Sequence, residues 1–322
     1  MGNGCRHHGR TSSWRAHTLR VLLGWALLAG APTPGLAADI QVLLADAVPH
    51  YLLTAERLRE HLKRLKPEVS VRVHTGAEPS ADTWPETDIL VTIGAEAFTA
   101  LRAAHPERVA LHLFITRDFW LDRQARDPEL ARHPGLALDQ PPEHIVALAR
   151  TLLPEARTLA VVLGPLARRN LEAVQTAAQG LGFEPAIAAL SASDNPLAVL
   201  SPLVADADAI LVLPDRAEFN GPLANWLLQL GFRARVPVIA FSRAYAKAGA
   251  LAAVFTAPED VGREGAELLA NWLDTGHYPA GIQYPRAYSV ATNPAVASAL
   301  GIELPAEAII AQRLGTVLRR LQ

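Results

Sequence analysis

The chain has 322 residues, half of them apolar, with 30 basic and 32 acidic side chains, 11 histidines and one cysteine, Cys5. A formal net charge of −2 provides no excess of basic groups for a nucleic-acid partner, and a lone cysteine excludes a disulfide framework. The length exceeds what one hydrophobic core usually organises and predicts two lobes.

Residues 1–20 carry Arg6, Arg10, Arg15 and Arg20 without an acid, and residues 21–31 form an uncharged apolar run. Pro32-Thr33-Pro34 ends the run, and Gly35-Leu36-Ala37-Ala38 follows with the small residues a signal peptidase cuts. The pattern predicts a signal peptide over residues 1–37 and a periplasmic mature protein. An uncleaved anchor is the competing reading, but the run is shorter than the roughly 18 apolar residues a span requires. A lipoprotein would carry its cysteine directly after the run, and Cys5 lies far upstream. Cleavage removes four arginines and no acids, leaving 26 basic against 32 acidic side chains and a net charge near −6.

The mature part opens with a strand at 40–44 and a helix at 51–65, whose Ala55, Leu58, Leu62 and Leu65 recur three and four residues apart and so share one buried face. Further strands are predicted at 69–73, 88–93 and 109–115, with a helix through Phe98 and Leu101. Residues 116–133 break the pattern with charges around Phe119 and Trp120 and read as an irregular or helical excursion near the mouth of the first lobe. A short strand at 136–138 ends at Asp139-Gln140-Pro141-Pro142, where two prolines forbid a regular ladder and one suits the first turn of the next helix. This is the predicted lobe crossing.

The second lobe repeats the grammar, with strands at 159–163 and 184–189 around a helix through Leu171, Val174, Ala178 and Leu181. From 208 to 273 come the short apolar runs 209–213, 236–241 and 251–255, written as strands buried on both faces of a parallel sheet. Thr256-Ala257-Pro258-Glu259 fits a capping box for a helix through Val261, Leu268 and Trp272. Alternation in 284–290 predicts a strand returning to the first lobe, followed by closing helices at 294–300 and 305–321. The expected organisation is an N-terminal lobe of residues 38–139 plus 284–322 and a C-terminal lobe of residues 140–283 with hinge segments. Several strands of hinge leave a cleft able to open and close.

Residues 135–273 and the ending TNPAVASALGIELP resemble the periplasmic substrate-binding proteins of ABC transporters of the tryptophan/tyrosine-uptake type. The marks are Leu152-Leu153-Pro154-Glu155-Ala156-Arg157 before a strand ending in Leu163-Gly164-Pro165, then Pro237-Val238-Ile239-Ala240, Gly249-Ala250-Leu251-Ala252-Ala253, and the closing asparagine to proline spacing. The resemblance implies two Rossmann-like lobes with parallel sheets joined by a multi-strand hinge, as in type I periplasmic binding proteins. It also implies a solute, often amino-acid-like, trapped between them. The chain departs from the pattern at Gly94-Ala95-Glu96, where relatives place a small hydroxylated residue, and at Phe241-Ser242-Arg243. Asp215 matches the family's aspartate, whereas Arg216 replaces a neutral polar group.

Ligands of such sheets bind just beyond the carboxyl ends of the strands. Arg117, Arg216 and Arg243 fall there, and a guanidinium grips a carboxylate or phosphate with two parallel bonds; the alternative is an exposed arginine or one paired with Asp118 or Asp215. Asp46, Glu96 and Asp215 are candidate acceptors for an ammonium group, with helix capping as the alternative. Thr116 and Ser242 are candidate hydroxyl donors, or else satisfy loop backbone. Phe119, Trp120, Phe219, Phe241 and Tyr245 offer an aromatic wall, or core packing.

The histidines lack metal spacing, and no nucleophile elbow or phosphate loop occurs, so no metal, cofactor or enzymatic role is expected. The predicted function is capture of a small organic solute, anionic or amino-acid-like, by a monomer that delivers it to an inner-membrane ABC permease. A sensor or accessory module serving a membrane receptor is the alternative.

Overall fold

A computed structural model describes residues 39–76, 84–190, 194–215 and 221–321, so the predicted signal segment, Arg216 and Phe219 lie outside the described residues. In the first lobe β1 (Ile40–Leu44), α1 (Pro49–Leu65), β2 (Val71–Thr75), β3 (Ile89–Ile93), α2 (Ala95–Ala104), β4 (Ala110–Ile115), α3 (Arg117–Gln124) and β5 (Pro134–Ala137) follow in order. The chain then crosses to the second lobe. There it forms α4 (Pro142–Leu152), β6 (Thr158–Leu163), α5 (Leu171–Gly180), β7 (Glu184–Ala189), α6 (Pro196–Ala205), β8 (Ala209–Val212), α7 (Gly221–Ala234), β9 (Val238–Ala240), α8 (Arg243–Ala248) and β10 (Ala252–Phe255). It returns to the first lobe for α9 (Pro258–Thr275) and β11 (Gly281–Gln283), and ends in the second with β12 (Ser289–Thr292), α10 (Pro294–Leu300) and α11 (Glu307–Leu318).

Two six-stranded sheets result, ordered β11-β5-β4-β3-β1-β2 and β12-β10-β9-β8-β6-β7. All pairings are parallel except that of β10 with β12. Helices cover both faces of each sheet, which is why the strands read as unbroken apolar runs. In the second lobe Val146, Leu148, Val174 and Leu314 pack on one face, and Leu200, Val204, Leu227 and Ala246 on the other.

The domain boundaries differ from the expectation. β12, α10 and α11 complete the second lobe, where α11 packs on α4. α9 and β11 instead belong to the first: β11 pairs with β5, and α9 lies along α1. The reason is shape. A Cβ on Gly262 would stand 2.4 Å from the Thr54 carbonyl oxygen and one on Gly265 2.8 Å from Leu113, so only glycines let α9 approach α1 and β4 this closely. Thr256 does not cap α9 either; the cap is Ala257, without a side-chain bond.

Three crossings, residues 138–141, 256–257 and 284–288, therefore join the lobes. Gln140 ties all three, its Nε2 donating to Thr256 Oγ1 at 2.7 Å and to the Ala287 carbonyl at 2.9 Å. Glu264 of α9, 3% exposed, accepts from the backbone N–H groups of Arg286 and Ala287 at 3.0 and 2.9 Å.

Candidate functional site

A cavity of about 250 Å³ lies between the lobes. His50, Tyr51, Phe114, Ile115 and Thr116 of the first lobe, Leu138 of the first crossing, and Pro214, Asp215 and Phe241 of the second lobe line it. Most of these follow strand ends: Ile115 closes β4, Pro214 and Asp215 follow β8, and Phe241 follows β9.

Local backbone features build its aromatic wall. Phe114 sits at φ +61°, a conformation an aromatic residue rarely adopts, where the register of β4 against β5 shifts between Leu113 and Ile115. Such a bulge re-aims a side chain at the edge of a site. The Phe114 ring stacks on His50 at 5.3 Å and meets Tyr51 edge-on at 5.5 Å. Tyr51 is held over Gly94, whose φ of +95° and missing Cβ leave room for the ring. A Cβ there would approach Tyr51 to 2.6 Å. Tyr51 also donates to Glu96 at 3.4 Å.

Of the sequence-derived candidates, Thr116 and Asp215 line this cavity. Thr116 caps α3, accepting from Phe119 N at 3.3 Å, and its hydroxyl keeps the capacity to donate. Asp215, 4% exposed, accepts from Leu166 N and Ala167 N at 2.8 and 2.9 Å and so fixes the loop after β6. Arg117, Ser242, Arg243, Asp46 and Glu96 are not among the described lining. Arg117 lies over the Tyr284 ring at 5.5 Å, and Arg243, exposed, over Phe255 at 5.0 Å. Ser242 caps α8, accepting from Tyr245 N at 3.2 Å. Asp46 is exposed in the loop after β1, and Glu96 is exposed in the first turn of α2. Phe119 and Trp120 pack with Phe98 in the core of the first lobe. Asn293, part of the family-like ending, caps α10 and donates to the Ala246 carbonyl at 2.8 Å, a structural tie between α8 and α10.

Sequence reasoning missed His50, Tyr51, Phe114 and Leu138. The bulge at Phe114 arises from pairing between β4 and β5 and leaves no local signature in the apolar run of β4; Tyr51 was legible only as part of a helix.

Carboxylates cluster beside the cavity. Asp139, in the first crossing, accepts from Arg117 N at 2.8 Å, and burial pushes its carboxyl up to about 7 against that bond. Burial likewise raises Asp118 to about 6, opposed by its bond to Asn170 and by Arg169. A larger cavity, about 740 Å³, lies against α4, α5 and α11 of the second lobe and the third crossing, lined among others by His144, Arg169, Arg286 and Arg319. It takes no residue from the first lobe, whereas the smaller cavity combines both lobes with strand ends.

No described helix is long and apolar enough to cross a membrane, and no cluster of three metal-ligating side chains occurs among the described residues.

The profile of a family described as ABC transporter substrate binding protein matches residues 135–313. No curated protein matches. Among solved structures, the chain is similar to the ligand-free, open CD0873 of Clostridium difficile, a substrate-binding protein with adhesive properties, at TM-score 0.65 and 15% identity over 84% of this chain and 96% of that one. It is also similar to a Streptococcus pneumoniae ABC domain in complex with L-Trp, at TM-score 0.56 and 18% identity over 88% and 98%. A conserved domain protein of Vibrio cholerae gives TM-score 0.56 and 20% identity over 86% and 98%. At these identities the likeness shows the fold, the two-lobed type I periplasmic-binding-protein architecture.

Proposed function

Because the chain belongs to the ABC transporter substrate binding protein family, a family of binding proteins and not of enzymes, we propose that its interlobe cavity captures one small organic solute for an inner-membrane ABC permease. The observation that carries this reading is the cavity itself, which is built by both lobes and walled by Tyr51, Phe114, Phe241 and His50. Its volume of about 250 Å³ suits a single small molecule, near the lower end of the usual range for ligand sites.

The aromatic wall and the Asp215 carboxylate favour an amino-acid-like solute with a flat apolar part and a donor group over a bare anion. Thr116 and Asp215 supply the polar contacts, and Arg216 stays a candidate by its position in the sequence next to Asp215. Arg117 and Arg243 act indirectly, by stacking on Tyr284 and Phe255. The protein works as an exported monomer, with residues 1–37 removed as a signal peptide. Capture needs no bond making; the solute favours the closed arrangement because only there do both lobes touch it.

Calorimetry of the purified protein against amino acids, aromatic acids and related organic anions tests the reading. Saturable one-to-one binding at micromolar concentration is expected for at least one aromatic or amino-acid-like solute. Absence of binding across the panel would contradict it.

A further inference from the structure

A pair of contacts at Asp118 bridges the lobes away from the hinge. Asp118, in the first turn of α3 in the first lobe, is 5% exposed. Its Oδ2 accepts from Asn170 Nδ2 of the second lobe at 3.1 Å, and its main-chain carbonyl accepts from Arg169 Nη1, also at 3.1 Å. Its Oδ1 is buried without a hydrogen-bond partner. Asn170 ends a short 3-10 turn, Ala167–Asn170, whose first backbone N–H is held by Asp215. The bridge thus joins the mouth of the first lobe to the loop that Asp215 shapes at the cavity.

A buried carboxylate with one oxygen unmatched is costly in its charged form, because it has left water without gaining a full set of donors. The charged and titratable groups around it are Arg117 on its own helix, Asp139 of the first crossing, Tyr284 of the third, and Arg169 and Asp215 of the second lobe. Two cations face three carboxyl groups in this cluster, Asp118 included.

We propose that Asp118 is the latch between the lobes, and that closing them over Asp118 favours its protonated form. The latch serves the solute-capture reading above but is tested without a solute. Separating the lobes removes Asn170 and exposes the carboxyl to water, where its value returns to the ordinary one. Closure therefore binds a proton, and acid favours it. The direction agrees with the raised value of about 6 in the structure against 3.8 for an ordinary aspartate. Well above pH 6 both forms are ionised and the proton contributes nothing further.

The test is resonance energy transfer between the lobes in solute-free protein, labelled through Glu129→Cys in the first and Gln179→Cys in the second, both exposed, in a Cys5→Ser background. From pH 4 to 6 the closed-to-open ratio of the wild type should fall by up to about tenfold per pH unit. Asp118→Asn should show no such slope in that window, whereas Asp118→Ala and Asn170→Ala should lower the closed fraction throughout. Identical slopes for wild type and Asp118→Asn, or alanine variants as closed as the wild type, would overturn the proposal. Since no solute is present, failure here is separable from failure of the calorimetric screen.

Discussion

Individual residues of the cavity act through geometry more than charge. Gly94 makes the space Tyr51 fills, so Gly94→Ala brings a Cβ to 2.6 Å from the ring at a positive φ that alanine disfavours. The expected outcome is displacement of Tyr51 from the wall and solute affinity reduced by about tenfold or more, equivalent to about 1.4 kcal/mol of binding energy. Calorimetry with the solute found in the screen measures it, and unchanged affinity would show that Tyr51 is no part of the site. Asp215→Ala leaves the N–H groups of Leu166 and Ala167 without their acceptor. A loss of about 2 kcal/mol in stability is expected by denaturant unfolding; a change below about 0.5 kcal/mol would contradict the role given to that carboxylate. Asp215 was legible in the sequence because the rule that strand ends face the cleft needs only local pattern. Arg117 and Arg243 obeyed the same rule yet turned onto aromatic rings, since a long flexible side chain takes its partner from tertiary contacts that no spacing encodes.

At the level of elements, the strands were readable and their partners were not. The apolar runs of β6, β8, β9 and β10 announced buried parallel strands, but nothing local in residues 258–275 told which lobe α9 would join. Gly262 held part of that answer: Gly262→Ala, forcing a Cβ to 2.4 Å from backbone that cannot yield, should cost about 1–3 kcal/mol and lower the melting temperature. An unchanged melt would mean α9 does not lie so close to α1.

The first sheet carries a second testable element in a line of buried polar groups. Arg102, which can only donate, meets His133 Nε2 at 3.1 Å; His133 Nδ1 accepts from the Ala110 backbone N–H at 3.4 Å and lies 3.1 Å from His112 Nε2, and His112 Nδ1 lies 2.7 Å from Thr92 Oγ1. Burial and the nearby Arg102 push His133 down to about 4 and hold His112 well below its usual value. The unfolded chain takes up these protons near pH 6.5, whereas the folded one resists them until about pH 4. The contribution of these histidines to stability is therefore full at pH 7 and is lost as pH falls from 6.5 towards 4, by up to about 3 kcal/mol for His133 alone, while the raised carboxyls of Asp118 and Asp139 act in the opposite direction. Urea midpoints at pH 7 and 5 for the wild type and His133→Gln isolate the histidine's part: the variant should gain stability at pH 5 relative to pH 7 when compared with the wild type, and an identical pH dependence in the two would refute the assignment.

For the whole molecule, two lobes and a hinge of several strands followed from length and from the repeated strand and helix grammar. The number of crossings and the destination of the C-terminus did not. Gln140 shows why: it joins three crossings whose residues lie 116 and 147 positions from it, a relation between distant segments with no local trace. The topology places Gln140, Glu264 and the Asp118 bridge between the two lobes, while the cavity gathers residues from both lobes and the first crossing. Whether a small solute is seated there is decided by a crystal structure of the complex with the solute found by calorimetry. The solute should lie between Tyr51 and Phe114 on one side and Phe241 on the other, within hydrogen-bond reach of Thr116 or Asp215. A solute bound instead in the larger groove beside His144 and Arg319, with the interlobe cavity empty, would contradict it.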